Sequence, residues 1–274
     1  MEITTHQNPY LIIKIRTESP QQYSMIKGLL PLANSRYDRK YKLLSLAFPA
    51  QDIENRLGSF IRFFPKADIV ETSLSSSPAQ TGYVKRFSEN LAIVCPDGNI
   101  QVREDDIVIR STLSFGSGFH PTTEICMALL EHAFTTSNIV DVFDLGTGSG
   151  ILALAACRLG AKRVLAADID FQACVEALDN VRLNGAENRI CIVNGSYSCA
   201  KASRFDLLLA NLTISTILTL GQYLAPLLKL GGTMILSGFT REQIREVEKS
   251  IGPVKVLKSL YREGWAGILA VTTS

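Results

Sequence analysis

Residues 139–170 read IVDVFDLGTGSGILALAACRLGAKRVLAADID. Ile139 to Leu145 is an apolar run of strand length, and it ends in Asp144-Leu-Gly146-Thr-Gly148-Ser-Gly150. Apolar residues then recur at helical spacing (Ile151, Leu152, Leu154, Ala155, Leu159), and Gly160 stands where a helix C-terminus favours glycine. A second apolar run, Val164 to Ala167, ends in Asp168. Strand, glycine turn, helix and strand, with an acid at the second strand's tip, is the order of a nucleotide-binding βαβ unit.

Each part of the stretch carries its own chemistry. Glycines let the backbone approach a ligand closely and adopt positive φ. Free N–H groups at the helix start, near Ser149, favour an anion. Asp168 lies about twenty residues past the glycines, placed to accept from two ribose hydroxyls. A dinucleotide fingerprint needs a third glycine at position 151, where Ile151 stands. The spacing Gly-x-Gly-x-Gly, with Asp144 two residues ahead of it, resembles instead the S-adenosylmethionine motif of Rossmann-like methyltransferases. The carboxylate of Asp144 suits the ammonium and sulfonium charges of that ligand or orders the loop.

The remaining composition narrows the class. The chain has 274 residues, 46% of them hydrophobic, enough for one large domain with a smaller one. A net charge of +2 is too balanced to make nucleic acid the main partner. The six cysteines form no Cys-x-x-Cys pair, and several fall at apolar positions, as buried free thiols of a reducing compartment do. His6, His120 and His132 lack ligand spacing, so no metal site is expected. The polar start MEITTHQNPY is no signal peptide, and no apolar run reaches membrane-spanning length without a charge or turn signal. A cytoplasmic protein without a membrane partner is the expectation.

Ahead of the decisive stretch, Tyr10 to Arg16, Tyr41 to Phe48 and Ala67 to Thr72 read as strands. Helices are expected from Pro20, capped by Ser19, to Leu30 and from Ala50 to Phe64. Residues 1–73 are therefore expected to form a small α+β domain, ferredoxin-like in order, acting either as a packing appendage or in substrate recognition. Residues 74–112 read as a linker and hairpin segment: LSSSPAQTG, then Leu91 to Val94, the turn Pro96-Asp-Gly98, and Ile100 to Val102, with a further strand from Ile107 to Arg110. Residues 113–274 read as the catalytic domain.

In that domain the loop LSFGSGFHPTT, residues 113–123, feeds a helix from Thr123 to Phe134, with Pro121 at the first helical position. Thr123 is placed to hydrogen-bond a ligand, and His120 reads as a loop histidine without a titrating role. After Asp168 come a helix (Phe171 to Asn184), a strand (Arg189 to Val193) tipped by Asn194-Gly-Ser196, and an apolar strand (Phe205 to Ala210) tipped by Asn211-Leu212. A helix from Ile214 to Leu230, closed by Gly231-Gly232, leads to a strand from Thr233 to Leu236. A charged helix (Arg241 to Ser250) and a closing antiparallel pair (Val254 to Leu260, Trp265 to Val271) follow. The fold class is α/β, with seven strands ordered 3-2-1-4-5-7-6 if the methyltransferase pattern holds. Ligands then bind at the carboxyl ends of the strands, between the first and the fourth. Asn211 is read either as a ligand contact or as the cap of the following helix.

Four motifs in this order and spacing, Phe115-Gly-Ser-Gly-Phe-His-Pro-Thr-Thr123, Asp144 to Ala153, Asp168-Ile-Asp170 and Ala210-Asn211-Leu212, resemble the ribosomal protein L-eleven methyltransferase family. The resemblance covers roughly Leu113 to Val271, and the F-G-[TS]-G-x-H-P-T-T loop discriminates it from other methyltransferases. It implies S-adenosylmethionine contacts from Thr123, Gly146, Gly148, Asp168 and Asn211, with Asn211 also orienting the methyl acceptor. It further implies methylation of amino nitrogens, on Lys side chains or an N-terminal amine, of a ribosomal large-subunit protein. Other protein lysines, a small amine, or a cofactor-binding module without catalysis are the alternatives. Asn211-Leu-Thr-Ile lacks the prolines and aromatic ring found at this strand tip in enzymes that methylate planar amides or base amines, which argues against those acceptors.

Overall fold

The computed structural model describes residues 10–23, 34–38, 43–49, 53–75, 83–89, 91–96, 101–109 and 120–273. Contacts divide the chain into two units, one of residues 1–83, 95–100 and 111–114, the other of residues 84–94, 101–110 and 115–274.

The first unit holds β1 (Tyr10–Arg16), β2 (Asn34–Asp38), β3 (Leu43–Pro49), α1 (Ile53–Phe63) and β4 (Asp68–Ser75). The strands form one sheet ordered β2-β3-β1-β4, with antiparallel pairs throughout, the ferredoxin-like order. Leu11, Ile13 and Ile15 alternate onto one face of β1 and meet Leu44, Leu46 and Phe48 of β3 and Phe60 of α1. Pro20–Tyr23 forms a 3-10 turn, and the rest of the expected helix, 24–30, lies outside the described residues. β2 was not legible from its residues. NSRYD is polar and sits at a sheet edge, where no second neighbour demands an apolar pattern.

The second unit is built on seven strands: β8 (Asp141–Leu145), β9 (Arg163–Asp168), β10 (Ile190–Asn194), β11 (Phe205–Asn211), β12 (Leu228–Thr240), β13 (Val254–Arg262) and β14 (Trp265–Thr272). Their order is β10-β9-β8-β11-β12-β14-β13, which is the expected 3-2-1-4-5-7-6. The first five run parallel and β14 pairs antiparallel with β12 and β13. Helices α2 (Pro121–Thr136), α3 (Ile151–Arg158), α4 (Phe171–Leu183), α5 (Ile214–Leu220) and α6 (Ile244–Ser250) complete the unit. Central strands covered on both faces read as continuous apolar runs, and all five residues of β8 are buried.

Two expectations are corrected here. The helix expected from Ile214 to Leu230 stops at Leu220 and gives way to two 3-10 turns, Gly221–Tyr223 and Ala225–Leu227. Pro226 cannot donate an N–H and its ring clashes with the preceding helical turn. The chain then enters β12 at Leu228, so Gly231 and Gly232 lie within that strand rather than closing a helix. There they carry a register shift, Phe205 facing Leu228 while Leu207 faces Thr233.

The hairpin expected across Pro96-Asp-Gly98 is also replaced. Ile100 and the turn residues Asp97 and Gly98 lie outside the described residues, and Gln101 and Val102 are not in a strand. The strands are β5 (Tyr83–Arg86), β6 (Ala92–Cys95) and β7 (Ile107–Val108), and β7 pairs parallel with β6. Asn184 fixes β7: its Oδ1 accepts from the Val108 N–H at 2.9 Å and its Nδ2 donates to the Val108 carbonyl at 2.6 Å.

Candidate active site

The glycine loop after β8 is shaped by backbone that side chains resist. Gly146, Gly148 and Gly150 have φ of 73°, 57° and 80°. The amides of Gly146 and Thr147 both donate to the Ala167 carbonyl, at 2.8 and 3.0 Å, so the loop folds over the end of β9. Asp168 at that end is a spacer between two segments. Its Oδ2 accepts from the Gly148 N–H at 2.9 Å and its Oδ1 from the Asp170 N–H at 3.0 Å. Each oxygen keeps a further lone pair, so the carboxylate can still receive two ligand hydroxyls.

The tip of β10 is knitted to the same place. Asn194 Nδ2 donates to the carbonyls of Asp168 and Ile169, at 2.9 and 3.1 Å, and the Gly195 N–H donates to Asp168 at 2.9 Å. The β11 tip is held from the other side, where the Leu212 N–H donates to the Ser237 carbonyl at 3.0 Å. Gly238 lies so close that a Cβ there would stand 1.8 Å from the Leu212 oxygen, and a Cβ on Gly146 would stand 2.2 Å from Leu212 Cδ2. Thr213 occupies the N-cap position of α5, so Asn211 does not cap that helix.

These tips enclose a cleft of about 520 Å³ at the carboxyl ends of the parallel strands. Thr123, Gly146, Gly148, Asp168 and Asn211 all line it, so the five residues singled out in the sequence meet in one place. Three groups of lining residues escaped the sequence reading. Ile169 follows Asp168 and Leu212 follows Asn211, each one step past a strand tip. Ser215, Thr216 and Thr219 bring hydroxyls from α5, at helical spacing on its exposed side. Ile151 and Leu152 of α3 add an apolar part to the lining.

Helix α2 sets Thr123 in the wall. His120 is its N-cap: the ring Nδ1 accepts from the Thr122 N–H at 3.3 Å and lies 2.7 Å from the Thr122 hydroxyl. The ring also meets Trp265 edge-on at 5.1 Å. His120 thus orients the start of the helix. Glu124, buried one residue past Thr123, is ion-paired with Lys85 and Arg262. The remainder of the loop, 113–119, lies outside the described residues.

Beneath the glycine loop, Asp144 is 1% exposed. Its Oδ2 accepts from the Thr147 hydroxyl at 2.6 Å, whereas its Oδ1 is buried without a hydrogen-bond partner. Burial pushes the carboxyl up to about 7, against the pull of the Thr147 hydroxyl and the Ala153 N–H, and the nearby charge of Asp168 acts in the same direction as burial.

The opposite end of β8 has reversed electrostatics. Asp141 is held by Arg163 Nε at 2.6 Å, Arg163 Nη2 at 2.9 Å and Lys229 Nζ at 3.1 Å, with Arg204 at 3.4 Å. The Arg163 bond is the main influence holding its carboxyl below the ordinary range, despite burial. Asp206 accepts from the amides of Val140 and Asp141, at 3.0 and 2.8 Å, and from Lys229 at 2.7 Å. That end is a structural clasp.

Cys95, Cys126, Cys157 and Cys174 are buried and Cys191 and Cys199 exposed, all as free thiols. Among the described residues no group of His, Cys, Asp and Glu is arranged to hold a metal ion, and no helix is long and apolar enough to cross a membrane.

Residues 82–273 match the family described as ribosomal protein L11 methyltransferase (PrmA). A curated relative of that name from Agrobacterium fabrum is 32% identical over 235 residues, covering 83% of this chain and 77% of its own. One from Pelotomaculum thermopropionicum is 40% identical over 145 residues, covering 52% of this chain and 46% of its own. The matched stretch thus spans about half the length of several curated relatives. Among solved structures, the ribosomal protein L11 methylase from Lactobacillus delbrueckii subsp. bulgaricus superposes with a TM-score of 0.62 at 32% identity, over 70% of this chain and 100% of that one.

Proposed function

The chain belongs to the ribosomal protein L11 methyltransferase family, and from that premise we propose that it transfers methyl groups from S-adenosylmethionine to amino nitrogens of a ribosomal large-subunit protein. The observation that carries the reading is the convergence of Thr123, Gly146, Gly148, Asp168 and Asn211 on one cleft between β8 and β11. The site fits such a ligand. The positive-φ glycines leave a cradle without side chains, and Asp144 presents a buried, unpaired carboxylate oxygen below it.

When bound, the cofactor supplies an activated methyl group on a sulfonium. Asp168 receives the ribose hydroxyls, and Gly146 and Gly148 admit the ligand's amino-acid moiety. The Thr123 hydroxyl binds beside them. Asn211 orients the acceptor amine in line with the methyl group through its amide oxygen, so positioning supplies most of the rate enhancement. The amine must be neutral to attack. Ile151, Leu152 and Leu212 make part of the cleft apolar, which disfavours an ammonium there and removes the need for a dedicated base. Held by Asp168, Gly146, Gly148 and Thr123, the donor would give its methyl group to the amine nitrogen and leave as a neutral thioether, and the methylated nitrogen would lose its proton to water.

The first unit is read as the substrate-recognition part, and the enzyme as acting in the cytoplasm on a protein without direct nucleic-acid contact. The test is incubation with methyl-labelled S-adenosylmethionine in a lysate of cells lacking the protein, followed by mass spectrometry. Label on lysines or the N-terminal amine of the large-subunit protein is expected. Label confined to small molecules, or no label, overturns the reading.

A further inference from the structure

Asp144 combines three properties. It is buried, one of its oxygens has no partner, and the other binds a residue, Thr147, that lines the ligand cleft. A buried carboxylate with one oxygen lacking a hydrogen-bond partner is costly to ionise. Among the described residues, the groups that face it do not provide a cation. From α2 comes Cys126, whose thiol burial keeps protonated, with Asp144 acting in the same sense. From β12 comes Ser237, which contacts Cys126 and donates its own proton to the Ala266 carbonyl at 2.8 Å. From α3 comes the Ala153 amide, and from β9 the like charge of Asp168.

The missing positive charge is one the ligand brings. The methyl donor carries an ammonium, a sulfonium and a carboxylate, net +1. Once the methyl group has left, the sulfur is a neutral thioether and the by-product is net zero. We propose that Asp144 is a charge-sensing counterion beneath the glycine loop, more fully ionised under the donor than under the by-product, so that rising pH favours donor over by-product. The proton comes from water and returns to it, and the Thr147 hydroxyl connects Oδ2 to the cleft. This rests on the methyl-donor reading of the site and adds to it a reason for the spent ligand to leave. In this role Asp144 is a positioning residue acting through Thr147 and through its charge.

Burial pushes the ligand-free carboxyl up to about 7. If donor binding lowers that value by about one unit, donor affinity rises about fivefold from pH 6 to pH 8, and by-product affinity does not. Calorimetry of the full chain with each ligand, at pH 6, 7 and 8 in two buffers of different ionisation enthalpy, reads affinities and protons together. Asp144→Asn carries the ligands' own titrations and isolates the aspartate. At pH 7 the wild type is expected to release about 0.4 of a proton more than the variant on donor binding. Equal pH dependence and equal proton counts overturn the proposal. Carbon-13 NMR of the wild-type Asp144 carboxyl answers the same question without the variant: a lower midpoint with donor than with by-product supports it, and one midpoint for both sinks it. If neither ligand binds at any pH, the methyl-donor reading falls and takes the proposal with it. If donor binds and the midpoints agree, only the proposal falls.

Discussion

The Gly148 amide donates to Asp168 Oδ2 at 2.9 Å, joining the glycine loop to the tip of β9 across 20 residues of sequence. The carboxylate therefore serves the loop and the ligand at once. Asp168→Ala removes both contacts, and donor affinity should fall by about 1–3 kcal/mol, the range for hydrogen bonds to a charged group. Calorimetry measures this, and unchanged affinity removes Asp168 from the site.

Gly238→Ala tests the clamp on the β11 tip. The new methyl would stand 1.8 Å from the Leu212 carbonyl oxygen, at φ +106°. Backbone cannot swing aside as a side chain can, so a loss of about 2–4 kcal/mol is expected in urea denaturation. Gly160→Ala is the control: its φ is +123° with nothing within 4 Å, so strain alone, about 1–2 kcal/mol, should appear. Equal losses would show that the contact with Leu212 is immaterial.

Asp141 predicts acid sensitivity. Its carboxyl is held below the ordinary range, so its contribution is present above the unfolded value and disappears as pH falls through the folded one. At pH 7 Asp141→Asn should be less stable than wild type by about 1–3 kcal/mol. The gap should start to narrow below pH ~4, the unfolded aspartate value, and vanish as pH falls through the folded one. A gap that persists at pH 2 would mean packing, and not charge, is the source.

Asp144 predicts the opposite slope. Its folded value lies near 7, above the unfolded one, so the ligand-free protein binds more protons folded than unfolded between them. Stability should fall as pH rises from 4 through 7, and Asp144→Asn should lack that decline. Thermal melts of both proteins at pH 5 and pH 8 decide it. Parallel behaviour would show that the orphan oxygen finds a partner in solution.

Asn211→Ala should leave donor affinity within a few-fold and lower kcat/KM for the acceptor by about 10- to 100-fold, as expected when one orienting polar contact is lost. A loss confined to donor binding would reassign Asn211 to the cofactor alone.

Much of the second unit was legible because its strands are buried on both faces and punctuated by glycine and acid. Ile139 to Leu145, Val164 to Ala167 and Phe205 to Ala210 announce themselves as apolar runs, and their tips name the cleft. What misled was local apolar periodicity carried past Pro226, where Leu227 and Leu228 look helical until the proline is given its steric weight. A strand at Ile107–Val108 was legible, but its parallel pairing with β6 and its side-chain anchor, Asn184, 76 residues away, were not. Ser215, Thr216 and Thr219 were invisible as a group, since hydroxyls on a short helix read as ordinary surface until the strand tips show which way it faces.

Asp141 and Asp144 stand three residues apart on one strand, the first surrounded by cations and the second facing none among the described residues that pack on it. A five-residue β8 thus separates a place where the protein is made durable from a place where it is made responsive. Substitutions that tighten the Asp141 clasp can raise heat tolerance while leaving turnover alone. Tightening around Asp144, by supplying it with an internal cation, would give a sturdier resting protein that no longer distinguishes a fresh ligand from a spent one.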